Sequence, residues 1–339
     1  MTRLLGVLMA LWLGLQALPA RAATSCSLTS PTLSFGTVSN GLVDTITTFN
    51  INCSTGAVAL LANARVTFCV GLPAGTGGTT ITPSRTFANS FGDRLNYQIY
   101  SDAARTSVFG SGSASSPAWA MYQMQYPVPV LGGSGSGTVT LYGRYPASQL
   151  LSAGAFTSTL AATFQYAYNE PILGTPPYPA NCTVGSPTVT GNSGLITATM
   201  SVIANATVNP SCGTYVTAPM NFGSSTGTVL ANIDRTAVFS LTCVNRSAFQ
   251  IGLDNGSNAD GAGNRRMRVG STGATVPYEL YQNAARTLRW GNVLNSSTVP
   301  GTGSGSAQSL TIYGRVAPTS AATTSPGVYT DTVTVTITY

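Results

Sequence analysis

Residues 327–339 read Gly-Val-Tyr-Thr-Asp-Thr-Val-Thr-Val-Thr-Ile-Thr-Tyr, in which threonine alternates with larger and mostly apolar residues. Such alternation is typical of a β-strand with one buried face and one solvent-exposed face. Because no further strand follows, the pattern predicts a domain whose sheet is left open for a strand from another chain. Asp331 interrupts the inward face, whose apolar members are Tyr329, Val333, Val335, Ile337 and Tyr339.

The same signature occurs earlier, so the chain contains an internal repeat. Gly154-Ala155-Phe156-Thr157-Ser158-Thr159 corresponds to residues 327–332, and Leu141-Tyr142-Gly143-Arg144 corresponds to Ile312-Tyr313-Gly314-Arg315. Residues 97–106 likewise match residues 278–287. The repeat predicts two tandem domains, at 24–170 and 209–339, joined by a linker at 171–208.

The local composition predicts the fold class. Short segments rich in Thr and Val alternate with Gly, Pro and Asn, which is typical of antiparallel strands joined by turns. No long amphipathic helical pattern is found. The sequence therefore predicts an all-β protein built of two tandem β-sandwich domains.

Residues 1–23 have the features of a secretory signal peptide. Arg3 precedes an apolar run at 4–18, and Ala20-Arg21-Ala22 is typical of a cleavage site. This predicts an exported protein, with no stable membrane span in the mature chain.

The charged residues argue against catalysis and against nucleic-acid binding. The chain has no His and nine acidic residues, which excludes His-based triads and His metal ligands. We expect no enzyme activity and no cofactor. The cluster of Arg265, Arg266 and Arg268 is predicted to be a solvated loop, because no aromatic residues for base stacking are interleaved with it.

Six Cys in an exported chain predict disulfides. Cys counts alone leave many connectivities open, but the two repeats each contain an equivalent pair near their start. The repeat therefore favours Cys26–Cys53 and Cys212–Cys243, which leaves Cys69 to pair with Cys182. The last bond would hold the linker to the first domain.

The linker contains a strand-like stretch at 195–204 after a proline-rich piece at 175–179. One interpretation is that this stretch folds back and supplies a missing strand to the first domain. The alternative is that it is simply the first strand of the second domain. In either case one face of the stretch is apolar, and it carries Ile196, Ala198, Met200, Val202 and Ala204.

Copy one carries a longer segment than copy two between the repeated motifs, and this segment is rich in large apolar residues. We hypothesise that it forms an exposed surface for adhesion, and the alternative is a core strand with alternate residues inward. The candidates are Trp119, Met121, Tyr122, Met124 and Tyr126. A second candidate is the apolar run at 57–61, with Val58, Leu60 and Leu61.

The paired Cys, the Phe-Gly pairs at 35–36 and 222–223, the Tyr-Gly-Arg strands and the terminal motif at 327–339 together resemble the spore coat protein U domain. That family includes pilins of the archaic, Csu-type chaperone–usher pathway. The resemblance implies an immunoglobulin-like sandwich that lacks its last strand. A periplasmic chaperone lends a strand first, and a neighbouring pilin subunit then replaces it. Two such domains in one chain resemble a two-domain tip adhesin.

The resemblance thus implies a secreted adhesive pilus subunit, exported to the periplasm and then to the cell surface, that promotes surface attachment and biofilm formation through hydrophobic loops. The partners implied by the resemblance are a periplasmic pilus chaperone, an outer-membrane usher, a neighbouring pilin subunit and an abiotic or host surface. Two alternatives remain open: a spore or cyst coat protein, and a secreted carbohydrate-binding module.

Overall fold

The computed structural model describes residues 24–56, 62–112, 114–182, 191–271, 273–319 and 325–339, with only the backbone for 191–192. All regular secondary structure in these residues is β-strand. Accordingly, no helix in the described residues is long and apolar enough to span a membrane. The predicted signal peptide and the run at 57–61, with its candidates Val58, Leu60 and Leu61, lie outside the described residues.

The contacts between residues divide the chain into two units. Among the described residues, unit 1 takes those up to 36 and those within 41–149 and 156–206, and unit 2 takes those within 37–40, 150–155 and 207–339. The predicted all-β fold class with two tandem domains is confirmed. The strand-like stretch of the linker falls within unit 1.

The strands of unit 1 form one continuous path, β1-β3-β8-β6-β5-β9-β10-β2, and β4 lies between β7 and β9. Their bounds are β1 Ser25–Leu28, β2 Thr32–Thr37, β3 Val43–Thr55, β4 Ala62–Gly71, β5 Arg85–Ala88, β6 Arg94–Tyr100, β7 Ala120–Val128, β8 Gly133–Tyr145, β9 Gly154–Pro171 and β10 Gly191–Val208.

The inward faces of β3 and β8 form one wall of the unit 1 core. Strands β3 and β8 pair antiparallel over their whole length, so their period-2 patterns face the same way. Phe49 and Ile51 from β3 lie beside Val139 and Leu141 from β8, and all four are buried. On the opposite face of β3, the exposed residues are Asp44, Ile46, Thr48, Asn50, Asn52 and Ser54, so this face is mostly polar.

Unit 2 repeats this wall with a second set of strands. They form three sheets, β11-β12-β18-β16, β17-β13-β20 and β15-β14-β19. Their bounds are β11 Cys212–Thr217, β12 Ile233–Cys243, β13 Ala248–Leu253, β14 Arg266–Val269, β15 Thr275–Pro277, β16 Glu279–Tyr281, β17 Val299–Thr302, β18 Ala307–Val316, β19 Tyr329–Thr330 and β20 Val335–Thr338.

The repeated sequence motifs have the same structural role in both units. In unit 1, Arg144 in β8 forms a two-bond ion pair with Asp44 in β3, at 2.8 Å for each bond. Arg105, with a left-handed φ of 57°, reaches back to donate to the carbonyl oxygen of Gly143 at 3.2 Å. Asp234, Arg286, Gly314 and Arg315 repeat these contacts in unit 2.

Three disulfides connect the six Cys, with none free among the described residues. They join Cys26 to Cys53, Cys69 to Cys182 and Cys212 to Cys243. These are the pairs that the repeat favours. The first and third each link two directly paired residues of neighbouring strands.

A buried arginine lies in the core of each unit, and one of them corrects the sequence analysis. The prediction that Arg265 belongs to a solvated loop is wrong, because its side chain is fully buried. It donates to the carbonyl oxygens of Leu253 and Trp290 at 2.9 and 2.7 Å and forms an ion pair with Glu279. A buried guanidinium needs such acceptors, since it cannot lose its proton at neutral pH.

Arg85 is the counterpart in unit 1. It donates to the carbonyl oxygens of Leu72 and Phe109, each at 2.6 Å, and to Gln98 at 2.5 Å. Burial lowers the pKa of Arg85 to about 10, which still leaves it protonated at neutral pH. The two units therefore share an arginine that holds loop carbonyls together beneath the sheet.

Candidate strand-accepting groove

Unit 2 has an open groove along its terminal strand. The groove has a volume of about 510 Å³. One side is formed by the segment 217–222 and the other by the terminal segment 329–335, while Phe239 and Ile312 contribute to the floor. The lining side chains are mostly apolar, including Met220, Phe222, Ala237, Val238, Leu253, Met267, Leu280, Tyr329, Val333 and Val335.

The inward side chains of the terminal segment are only half-buried. Val333, Val335 and Ile337 pack against the core of unit 2 but stay partly accessible. Their counterparts by repeat position in β9 are Leu160, Ala162 and Phe164, and each of these is completely buried. The same contrast holds across the core, where Leu310 and Ile312 are half-buried but Val139 and Leu141 are fully covered.

Strand β10 accounts for this difference. In unit 1, β10 lies between β9 and β2, which hold the counterparts of the two sides of the groove. The amide of Ile203 donates to the carbonyl oxygen of Pro31 at 3.2 Å beside β2. Within the described residues of unit 2, no strand occupies the corresponding position, and the segment 218–225 does not form a strand.

The side chains of β10 alternate between the core and the solvent. Met200, Val202 and Ala204 are buried, whereas Ser201 and Ile203 are exposed. Toward the start of the strand, Ile196 and Ala198 are half-buried. The whole apolar face identified in the sequence therefore points to the core of unit 1.

The Gly of each Tyr-Gly-Arg motif makes room for the side chains beside the groove. A Cβ atom on Gly314 would lie 2.1 Å from Sδ of Met220 and 2.9 Å from the ring of Phe222. In unit 1, a Cβ on Gly143 would lie 2.8 Å from the ring of Phe35. Phe35, in the strand β2 beside β10, is buried, while Phe222 remains half-buried.

The predicted groove residues do not all line it. Tyr329, Val333 and Val335 do, whereas Ile337 pairs with Ile251 of β13 and lies beyond the groove lining. Tyr339 is 57% exposed and is not part of the lining, which corrects its assignment. Tyr339 follows Thr338, the last residue of β20.

Asp331 is the acidic side chain of the groove lining. Its Oδ2 accepts a hydrogen bond of 2.7 Å from the hydroxyl of Tyr278. Its Oδ1 accepts bonds of 3.1 Å from the amide and the side chain of Asn258. Burial, aided by bonding to Asp331, raises the pKa of Tyr278 above its usual value, so the tyrosine is the donor in this pair.

The apolar segment of copy one is mostly a core strand, so two adhesion candidates are corrected. Met124 and Tyr126 lie in β7 and are buried. The Tyr126 hydroxyl hydrogen-bonds Thr55 at 2.8 Å, which satisfies its polar atom within the core. Tyr122 is half-buried and stacks on Phe68 with ring centroids 5.7 Å apart.

The remaining candidates lie at the start of β7. Met121 is 54% exposed and Trp119 is half-buried, with its amide bonded to the carbonyl oxygen of Gly112 at 3.1 Å. Residues of this region pair with the end of β4, since Ala120 lies opposite Val70. They do not form a continuous apolar surface with Met124 and Tyr126.

A different set of apolar residues is exposed at the opposite end of β7. Here β7 and β8 are joined by a turn, and Ala62 at the start of β4 faces both Val128 and Gly174. Leu131 in the turn is 92% exposed and Leu173 after β9 is 69% exposed. We call this the apolar rim of unit 1, and it consists of Val130, Leu131, Ile172 and Leu173.

The proline-rich piece of the linker runs along β4 as a strap. Arg65 donates to the carbonyl oxygen of Pro176 at 3.0 Å and lies 4.3 Å above the ring of Tyr178. Thr67 donates to the carbonyl oxygen of Pro179 at 2.7 Å. The Cys69–Cys182 disulfide then fixes the end of the strap.

An all-β fold made of two repeated units, each with its own buried core, defines the class of this protein. The chain belongs to the Spore Coat Protein U domain family, whose sequence model matches residues 13–163 and 196–336. The second match begins within β10, so this strand belongs to the second copy by sequence and to the sheet of the first by structure. No similar protein is found among the curated proteins.

Several solved structures are similar to the chain. One is the chaperone–tip adhesion subunit pre-assembly complex of the archaic chaperone–usher Csu pili of Acinetobacter baumannii, at 20% identity and TM-score 0.41, covering 93% of this chain and 100% of that chain. Another is the CupB6 tip adhesin of Pseudomonas aeruginosa, at 12% identity and TM-score 0.34, covering 94% of each chain.

Proposed function

We propose that this protein is an exported adhesive pilus subunit whose unit 2 is completed by a strand donated from another chain. One observation carries the proposal: β10 occupies in unit 1 the position that is an open apolar groove in unit 2. An extended strand added there would gain main-chain hydrogen bonds along β20 and bury alternate side chains on Phe239 and Ile312. Membership of the Spore Coat Protein U family supports the proposal.

Unit 1, in this proposal, is completed in cis by β10. The buried face of the strand, from Met200 to Ala204, replaces the strand that other chains supply to unit 2. The role of a single chain is then to receive a strand and to present unit 1, as expected of a subunit at the tip of a fibre. The donors would be a periplasmic chaperone first and a neighbouring pilin subunit afterwards, with an outer-membrane usher as the assembly site.

The groove is tested by placing a charge on its floor. We expect Ile312→Asp to abolish formation of a one-to-one complex with the proposed periplasmic chaperone, because a docked strand would bury an unpaired carboxylate. Ser309→Asp is the matched control, since Ser309 lies on the exposed face of the same strand. The measurement is co-purification after periplasmic co-expression, and equal yields of complex for both variants would contradict the groove assignment.

The apolar rim is the surface that we propose for attachment to abiotic or host surfaces and for biofilm formation. Large side chains such as Leu131 and Leu173 expose apolar area to water, and contact with a hydrophobic surface would remove that unfavourable exposure. The strands beneath the rim are fixed by the buried contact of Tyr126 with Thr55. The rim therefore consists of exposed loop residues carried by strands whose core contacts are fixed.

The attachment surface is tested by substituting exposed apolar residues of the apolar rim, with an exposed apolar residue at the other end of β7 as the control. We expect Leu131→Ser combined with Leu173→Ser to reduce binding of assembled pili to bare polystyrene severalfold, because little apolar contact area remains. Met121→Ser, at the other end of β7, should leave binding unchanged. Loss of binding in the Met121 variant alone, or inhibition of binding by free sugars, would assign attachment to a different surface.

A further inference from the structure

The acidic residue in the groove of unit 2 has no acidic counterpart in unit 1. Asp331 corresponds by repeat position to Ser158, a small neutral residue that is completely buried. Asp331 lies on the inward face of the terminal segment and is half-buried, between Tyr329 and Val333 of the lining. The groove therefore combines apolar walls with one carboxylate.

Filling the groove would bury this carboxylate. In unit 1, where β10 fills the equivalent position, the inward residues Phe156, Ser158 and Leu160 are all fully buried. Asp331 has three hydrogen bonds from Asn258 and Tyr278, whereas a carboxylate has acceptor sites for about four. A covering strand that offered only apolar side chains would leave a buried charge incompletely bonded, which is strongly unfavourable.

Resting on the proposed strand-accepting function, we propose that Asp331 selects the strand that completes unit 2. The favoured strand has alternating apolar residues with one hydrogen-bond donor, such as Ser, Thr, Asn or Arg, where it crosses Asp331. Strand β10 lacks such a residue, because its inward positions from Ile196 to Val208 are all apolar. The carboxylate thus rejects β10 of a second copy, and this discrimination opposes self-association through the wrong strand.

The test uses a fluorescent peptide with the sequence of residues 195–208 as the donor strand. The full mature chain is refolded with the peptide present, and the dissociation constant is measured by fluorescence anisotropy. We expect Asp331→Ser, which installs the residue of unit 1, to bind the peptide at least about tenfold more tightly than the unaltered chain. Thr332→Ser, on the exposed face, should bind as the unaltered chain does.

A second set of peptides tests the requirement for a donor. Each carries Ser in place of one inward residue, and we expect at least one of them to bind the unaltered chain about tenfold more tightly than the parent peptide. That gain should disappear in Asp331→Ser. If Asp331→Ser loses the native emission of Trp290, which lies in the core of unit 2, Asp331→Asn removes the charge with less change in shape and replaces it.

The outcomes separate the inference from the proposed function. If Ile312→Asp binds the peptides as well as the unaltered chain does, the groove is not the binding site and both fail. If Ile312→Asp abolishes binding while Asp331→Ser and Asp331→Asn equal the unaltered chain, the groove stands and the selection by Asp331 is overturned. Tighter binding of the β10 peptide to the Asp331 variants alone supports the selection.

Discussion

Val202→Asp should prevent unit 1 from reaching its native fold. Val202 is completely buried in β10, and its strand covers the core between β9 and β2. A carboxylate at this position would be buried without a partner, at a cost of several kcal/mol, comparable to the whole stability of a small domain at about 5–15 kcal/mol. An undocked β10 would also expose Leu33 and Phe35, which are buried in unit 1.

The measurement separates the two units by their tryptophans. Trp119 lies in unit 1 and Trp290 in unit 2, so Trp290→Phe leaves an emission signal from unit 1 in the mature chain. In that background, Val202→Asp should show the emission of an unfolded chain without denaturant. Ser201→Asp, on the exposed side of the same strand, should unfold at the same urea concentration as the parent. Native emission from both variants would show that unit 1 does not need β10.

The repeat allowed much of this fold to be predicted. Matching Tyr-Gly-Arg motifs and Cys spans predict two domains with equivalent strands, and the paired strands carry those residues in equivalent positions. The alternation at 195–204 also predicts a strand with one apolar face, which is the face that the structure buries. Alternation is a local property of the chain, so it is visible in the sequence.

The place of that strand in the sheet depends on contacts with residues distant in the sequence, and the sequence left two alternatives open for it. The same limit applies to the segment from Trp119 to Tyr126, because a run with large residues on both faces does not indicate which face is buried in the core. Pairing with β4 decides it, and Met124 and Tyr126 turn inward. A signal for the apolar rim was present, however, since Val130 and Leu131 lie between Pro129 and Gly132, a composition typical of a turn.

Arg265 shows a second limit of prediction from sequence. Adjacent arginines normally indicate a solvated segment, but the acceptors for Arg265 come from positions 11 to 25 residues away in the sequence. A tertiary arrangement of carbonyl groups is invisible to composition. Comparison of the repeats offered one clue, since Arg85 precedes Tyr97 in unit 1 much as Arg265 precedes Tyr278 in unit 2.

Replacing the buried arginine of unit 1 should be the most damaging single change away from β10. Arg85→Met fills similar space but removes the donors to Leu72, Phe109 and Gln98. Each buried acceptor left without a partner costs about 1–3 kcal/mol, so we expect the free energy of unfolding of unit 1 to fall by more than about 3 kcal/mol. The measurement is urea unfolding followed by Trp119 emission in the Trp290→Phe background.

Arg144→Met is the control that separates burial from charge. Arg144 also makes two hydrogen bonds, to Asp44, but its side chain is 35% exposed, and surface pairs contribute only about 0–1 kcal/mol. The charge removed is the same in both variants, so a large difference between them must come from the buried carbonyl groups that Arg85 satisfies. Equal losses of stability would mean that the net charge of unit 1, rather than this buried contact, sets the effect.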